Sequence, residues 1–132
     1  MADQDVTAVR YVVLHHEGVA VPHYDLMFER EPGGALTTYR SPAWPITVRT
    51  RIEPLEDHRR EYLEFEGPVS GDRGHVRRVL GGSCDVHLEA PFYTSIILLT
   101  PTRTALRINN PTDPVACSIE PAGWTGAATD QQ

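Results

Sequence analysis

The sequence predicts an all-β fold with little helix: a compact β-barrel, closed or partly open, or a sandwich. Three observations point there. Eleven prolines and ten glycines are spread through 132 residues and interrupt any long helical register. Between them lie short runs rich in Val, Ile, Leu, Thr and Tyr, at the spacing of a many-stranded barrel or sandwich. Apolar residues make up 40% and charged residues 23%, enough to fill one core and too apolar for a disordered chain.

The elements follow in chain order. Strands are expected at 11–15 (YVVLH), 23–29 (HYDLMFE) and 35–40 (ALTTYR), the last two joined as a hairpin by Glu31-Pro32-Gly33-Gly34. A fourth covers 46–52 (ITVRTRI). The stretch 53–63, EPLEDHRREYL, has no glycine and repeats Leu55, His58, Arg59 and Tyr62 at three- and four-residue spacing. It reads equally as a short helix or an irregular loop. Further strands are expected at 61–67, 75–80, 85–89, 93–100, 104–108 and 115–120. The chain divides into a flexible N-terminus (1–8), one barrel domain (9–124) and a small polar tail (125–132).

The charge balance is 12 basic against 18 acidic residues, a net −6, and every basic residue is arginine. A net acidic domain is poorly suited to wrapping long duplex, whose affinity comes from neutralising many phosphates. Binding one nucleic-acid end in a local basic pocket remains open to it. No stretch approaches the ~18 apolar residues of a membrane span, and MADQDVTAVR lacks the regions of a signal peptide. The expectation is a cytoplasmic protein without membrane contact. Cys84 and Cys117 are too few for a Cys-rich zinc site and read as small buried hydrophobes.

Three of the six histidines fall between positions 15 and 23. The period-two geometry of a strand places His23, Asp25 and Met27 on one face, with Tyr24, Leu26 and Phe28 on the other. If the strand ending at His16 pairs with the one beginning at His23, His16 returns to the same end of the sheet. Two imidazoles and a carboxylate leave coordination positions open, the ligand set of a catalytic site for manganese, iron or zinc. The plainer reading has His15 and His16 on the surface and His23 hydrogen-bonded to Asp25.

A second constellation spans Glu56 to Tyr62. There His58 can move a proton near neutral pH, Arg59 and Arg60 can pair with phosphate, and Tyr62 can donate a hydrogen bond. By composition alone it reads first as an exposed mixed-charge loop. Arg49 and Arg51 share one face of a strand, either solvated or placed for an anion. The Gly-rich stretch 67–74 matches no phosphate-loop spacing.

The order YVVLHH, HYDLMFE, GALTTYRSPAW and LEDHRREYLEFEG resembles the 3′-phosphoesterase domain of bacterial DNA ligase D and its small stand-alone relatives. The similarity runs from Tyr11 to Gly67, around half the chain, and more weakly beyond. That family is a manganese-dependent β-barrel that trims nucleic-acid 3′ ends, removing a terminal ribonucleoside and then the remaining 3′-phosphate. Carried over by position, the resemblance implies metal ligands His16, His23 and Asp25. It implies catalytic roles for His58, Tyr62 and one of Arg49 and Arg51, with Arg51 preferred and Arg49 then left to bind substrate. Arg40 is a further substrate-binding candidate because it could replace the charge that Met27 lacks. Mn²⁺ would be the ion, with Zn²⁺ or another divalent ion as alternatives. Met27 stands where the family has an active-site arginine, and Ala43 where it has a lysine. The loop at 69–74 is shortened, and the family's basic N-terminal arm is missing.

The resemblance therefore implies a phosphoesterase acting on 3′-phosphate or 3′-ribonucleotide ends in DNA repair and end-joining, through local contact. The alternative is a non-catalytic metal- or partner-binding module that meets DNA-repair proteins and has lost part of the phosphate clamp. A weaker alternative is a metal-dependent small-molecule phosphatase or oxygenase.

Overall fold

The structure is a computed structural model and describes residues 8–89 and 92–123. The chain ends expected to be flexible lie outside the described residues, apart from the exposed Ala8. Ten strands follow in order: β1 (Val9–Glu17), β2 (His23–Glu29), β3 (Leu36–Ser41), β4 (Thr50–Arg51), β5 (Glu53–His58), β6 (Gly67–Pro68), β7 (His75–Leu88), β8 (Tyr93–Leu98), β9 (Thr104–Asn109) and β10 (Ser118–Pro121). They form one sheet in the order β4-β10-β9-β8-β7-β1-β2-β3-β5, with β6 paired to β7 beside that path.

The two ends of this order, β4 and β5, are separated in the chain by Ile52 alone. The Ile52 amide donates to the Cys117 carbonyl at 3.0 Å, just before β10 begins. One edge strand thus runs directly into the other, and the sheet curls into a nearly closed antiparallel barrel. Closure removes the long unpaired edges that would otherwise template aggregation.

Alternation along the strands sorts two cores. Tyr11 and Val13 of β1, Leu26 and Phe28 of β2, Ile96 of β8 and Ile108 of β9 meet inside the barrel. Cys84 and Cys117 lie in this core as free thiols, and burial pushes them up to about 12 and about 11 respectively. Such thiols stay protonated and act as hydrophobes. Val12, Leu14 and Met27 point to the outer face, where Leu36, Leu63 and Val76 join them in a second, smaller core.

That outer core exists because the segment after β5 folds over it. A 3-10 turn, Arg60–Leu63, inserts Leu63 as the roof. Arg60 donates to the carboxylate of Glu29 and, at 2.9 Å, to the Gly34 carbonyl. Arg78 Nη1 donates to the Leu63 carbonyl at 2.8 Å. Glu29 also accepts the amides of Arg10 at 2.7 Å and Gly33 at 3.1 Å. Burial alone would raise its pKa. The Arg60 guanidinium and the two amides outweigh burial and hold the carboxyl below its usual value.

Several elements differ from expectation. Residues 53–58 are neither helix nor loop but a strand that completes the barrel, and only 60–63 are helical, as 3-10. The strand expected at 61–67 reduces to Gly67–Pro68, and that at 46–52 to Thr50–Arg51. The strands expected at 75–80 and 85–89 are one, passing straight through Gly81-Gly82. The glycines mark close approaches there. A Cβ at Gly81 would meet Arg78 Nη2 at 2.3 Å, and one at Gly82 would meet Thr100 Oγ1 at 2.3 Å. The region expected as a strand at 115–120 begins as a 3-10 turn, Pro114–Ala116, capped by Asp113, and becomes extended at Ser118.

Candidate metal centre

β1 and β2 pair antiparallel with His16 directly opposite His23. The six-residue loop between them therefore returns the chain to its own rung. One rung pair along, Asp25 sits opposite Leu14 on β1 and Arg40 on β3. His16, His23 and Asp25 share the outer face with the second core, at the end its apolar residues leave open. His15, one residue away, turns to the opposite face and stacks on Tyr24 at 4.4 Å between ring centroids.

The ligand-capable atoms of His16, His23 and Asp25 lie within 4.8 Å of one another, and among the described residues this is the one such group. The rings of His16 and His23 meet edge to face at 4.9 Å. His23 and Asp25 are 8% and 5% exposed. His23 Nδ1 donates to the Val21 carbonyl at 2.9 Å, which leaves Nε2 as a lone-pair donor facing inward.

His23 Nε2, Asp25 Oδ1 and Arg40 Nε are all buried without a hydrogen-bond partner among the described residues. They nonetheless face one another: Nε2 is 3.7 Å from Oδ1, and Arg40 Nε is 3.9 Å from the same oxygen. The simpler expectation of a His23–Asp25 hydrogen bond is therefore not met, because 3.7 Å is too long. Two donors each ~2.1 Å from one ion are roughly 3–3.5 Å apart, so the pair needs little movement to share a ligand. Burial raises the Asp25 carboxyl above its usual value, against the opposing pull of His23, Arg40, His16 and His58. Two imidazoles and a carboxylate fit a divalent ion such as manganese, iron or zinc.

A cleft of about 750 Å³ opens beside this group. Its apolar wall is the loop Val19-Ala20-Val21-Pro22, and its basic wall carries Arg40, Arg51 and Arg73. Arg40 and Arg51 are thus brought together, from β3 and β4, although they are 11 positions apart in the sequence. Arg49 is not on this wall. Its Nε donates to Glu120 Oε1 at 2.9 Å, a pairing across the chain invisible to strand periodicity.

His58 and Tyr62 meet each other edge to face at 5.3 Å, and His58 Nδ1 bonds the Glu56 carbonyl at 3.0 Å. They do not line the cleft. Tyr62 lies in an adjoining hollow with Phe65, and Val69 forms part of both walls. His58 remains close enough for its charge to act on Asp25. Met27 shares the strand face of His23 and Asp25, but it does not point into the cleft. It is 1% exposed and packs with Leu36 and Leu63 in the outer core. The guanidinium nearest the site is that of Arg40, arriving from the neighbouring strand.

Arg73 is the residue that sequence reasoning missed. Its carbonyl oxygen lies 2.7 Å from His16 Nε2, and the residue lines the cleft while its guanidinium bonds Ser70. The clue available was the glycine density at 71 and 74, which marks a tight turn but not what it touches.

No protein-family model matches this chain, and no curated protein matches it.

Proposed function

We propose that this chain is a divalent-metal-dependent phosphoesterase acting on the 3′ ends of nucleic acid, similar to the end-processing domain of bacterial DNA ligase D. The observation that carries the reading is the buried trio His23 Nε2, Asp25 Oδ1 and Arg40 Nε, each without a hydrogen-bond partner among the described residues, at the wall of an arginine-lined cleft. Unsatisfied buried polar groups cost 1–3 kcal/mol each, roughly, and their clustering supports a ligand that satisfies them together.

His16, His23 and Asp25 would hold the ion, with Mn²⁺ as the first candidate. A bound divalent ion supplies polarisation of a phosphoryl oxygen and a more acidic water. The chain's own residues do the rest. Arg40 and Arg51 bind and orient phosphate oxygens from the basic wall, Arg40 taking the place of the charge that Met27 does not supply. His58, which stands outside the cleft wall, is the candidate proton donor to the departing oxygen where substrate extends past that wall, and Tyr62 meets its ring edge-on. The apolar loop 19–22 covers one side of the cleft and limits water.

The test is Mn²⁺-dependent release of phosphate from a 3′-phosphorylated oligonucleotide. His23→Ala and Asp25→Ala should abolish both release and Mn²⁺ binding. His58→Ala should slow release about 100-fold or more while leaving Mn²⁺ affinity within about twofold. Mn²⁺ binding with no release by the wild type would favour the second reading, a non-catalytic metal-binding module of DNA repair. That reading draws on Met27, which packs in the outer core and stands where the resembled family has an arginine. Among the described residues no helix is long and apolar enough to cross a membrane.

A further inference from the structure

We infer that the turn at residues 69–74 is a positioning element for the metal centre. The Arg73 carbonyl fixes the tautomer of His16, and Gly74 is the residue that lets the turn come close enough to do so. This rests on the reading of His16, His23 and Asp25 as metal ligands, and it assigns to the turn a role that no catalytic motif carries.

The chemistry begins at His16. Its Nε2 lies 2.7 Å from the Arg73 carbonyl oxygen. A carbonyl only accepts, so Nε2 carries the proton and Nδ1 is the nitrogen left for a metal. His23 is set the opposite way, with Nδ1 donating to the Val21 carbonyl and Nε2 left free. Each histidine of the site is therefore held through one nitrogen by a main-chain carbonyl. Ligating histidines are ordinarily held so, and loss of that partner costs 10–100-fold in affinity, roughly.

The turn that brings the Arg73 carbonyl is built for close approach. Gly74 has φ +77, and a Cβ there would lie 2.2 Å from the Glu17 carbonyl oxygen and 3.1 Å from Gly18 C. Gly18 has φ +76, and its own Cβ would lie 3.0 Å from Gly74 Cα. The two glycines thus stack main chain on main chain directly after His16. A side chain at 74 would push the turn, and with it the Arg73 carbonyl, away from the imidazole.

The turn also holds its own shape. The Val69 amide donates to the Gly74 carbonyl at 2.8 Å. Arg73 Nε donates to the Ser70 carbonyl at 2.7 Å, and Nη2 to Ser70 Oγ at 3.1 Å. The carbonyl aimed at His16 therefore comes from a pre-shaped loop, which is what a positioning group requires. The role belongs to the Arg73 main chain, so it survives replacement of the Arg73 side chain.

Two measurements on the full chain test this. A two-bond ¹H–¹⁵N correlation spectrum of the metal-free protein at alkaline pH reads the His16 tautomer, and calorimetry reads Mn²⁺ affinity. The wild type should show His16 protonated on Nε2, and Arg73→Ala should keep that tautomer. Gly74→Ala should lose the tautomer preference and bind Mn²⁺ about tenfold or more weakly, with the barrel's amide spectrum retained. An Nδ1-protonated His16 in the wild type would overturn the inference, and that measurement decides alone if Gly74→Ala does not fold. Unchanged Mn²⁺ affinity in a folded Gly74→Ala overturns the positioning role but leaves the metal site standing. Failure of the wild type to bind Mn²⁺ overturns both.

Discussion

At the scale of single residues, the proposed metal-binding role of Asp25 would oppose stability. Its carboxyl is 5% exposed and burial raises its pKa, so in the metal-free fold the charged form is disfavoured relative to the unfolded chain. The sign follows from linkage. The stability associated with Asp25 is fully present below the usual carboxylate range and is lost as pH rises through the raised folded value. Asp25→Asn removes the charge and keeps the shape. The metal-free variant should therefore melt higher than the metal-free wild type at neutral pH. Adding Mn²⁺ at about 100 times its Kd should reverse the order, raising the wild-type melting temperature on the order of 10 °C and leaving Asp25→Asn unmoved. Thermal melts with and without Mn²⁺ check both halves. A variant less stable than wild type without metal would mean that Arg40 and His23 already compensate the carboxylate.

At the scale of elements, the outer core depends on one buried carboxylate. Glu29, at the end of β2, ties together the β1 main chain, the β2–β3 turn and Arg60 of the 3-10 roof. Its pKa is lowered in the fold, so its contribution is present above the usual carboxylate range and lost as pH falls through the lowered value. Glu29→Gln should cost about 2–3 kcal/mol at neutral pH, and its stability should be flatter than the wild type's across the acid range. Denaturant melts at pH 7 and in mild acid measure this. The strands flanking Glu29 were legible because their patterns are strong: HYDLMFE alternates and EPGG turns. The pairing of His16 with His23 was likewise readable from loop length and strand direction. The roof was not. EPLEDHRREYL carries helical spacing at Leu55, His58, Arg59 and Tyr62, yet Glu53–His58 are held extended by pairing with β3 and only Arg60–Leu63 turn as 3-10. That tertiary pairing overrides local periodicity. The Gly81-Gly82 pair misled for a related reason, marking close approach to Arg78 and Thr100 within a continuous strand. Arg49 and Arg51 look equivalent in the sequence, and only the return of β10 with Glu120 separates them.

At the scale of the whole molecule, barrel closure and charge distribution limit how a nucleic acid can bind. The two end strands of the sheet, β4 and β5, are joined through Ile52, so the barrel is nearly closed. The net charge of −6 disfavours extended phosphate contact, while the cleft gathers Arg40, Arg51 and Arg73 beside the candidate metal ligands. A substrate held there meets at most these three cleft cations, and the acidic remainder repels the rest of its backbone. Counterion release then gives a shallow dependence. A single strand neutralised at three phosphates should show a slope of log K against log salt of about −2. Affinity should also saturate early, with a 3′-phosphorylated strand of about four nucleotides binding within about twofold of one five times longer. Fluorescence titrations on catalytically silent Mn²⁺-loaded His58→Ala, across salt and oligonucleotide length, measure both quantities. A slope near −5, or affinity that keeps climbing with length, would place a second basic track outside the cleft. Such a track would have to use arginines other than the three on the cleft wall.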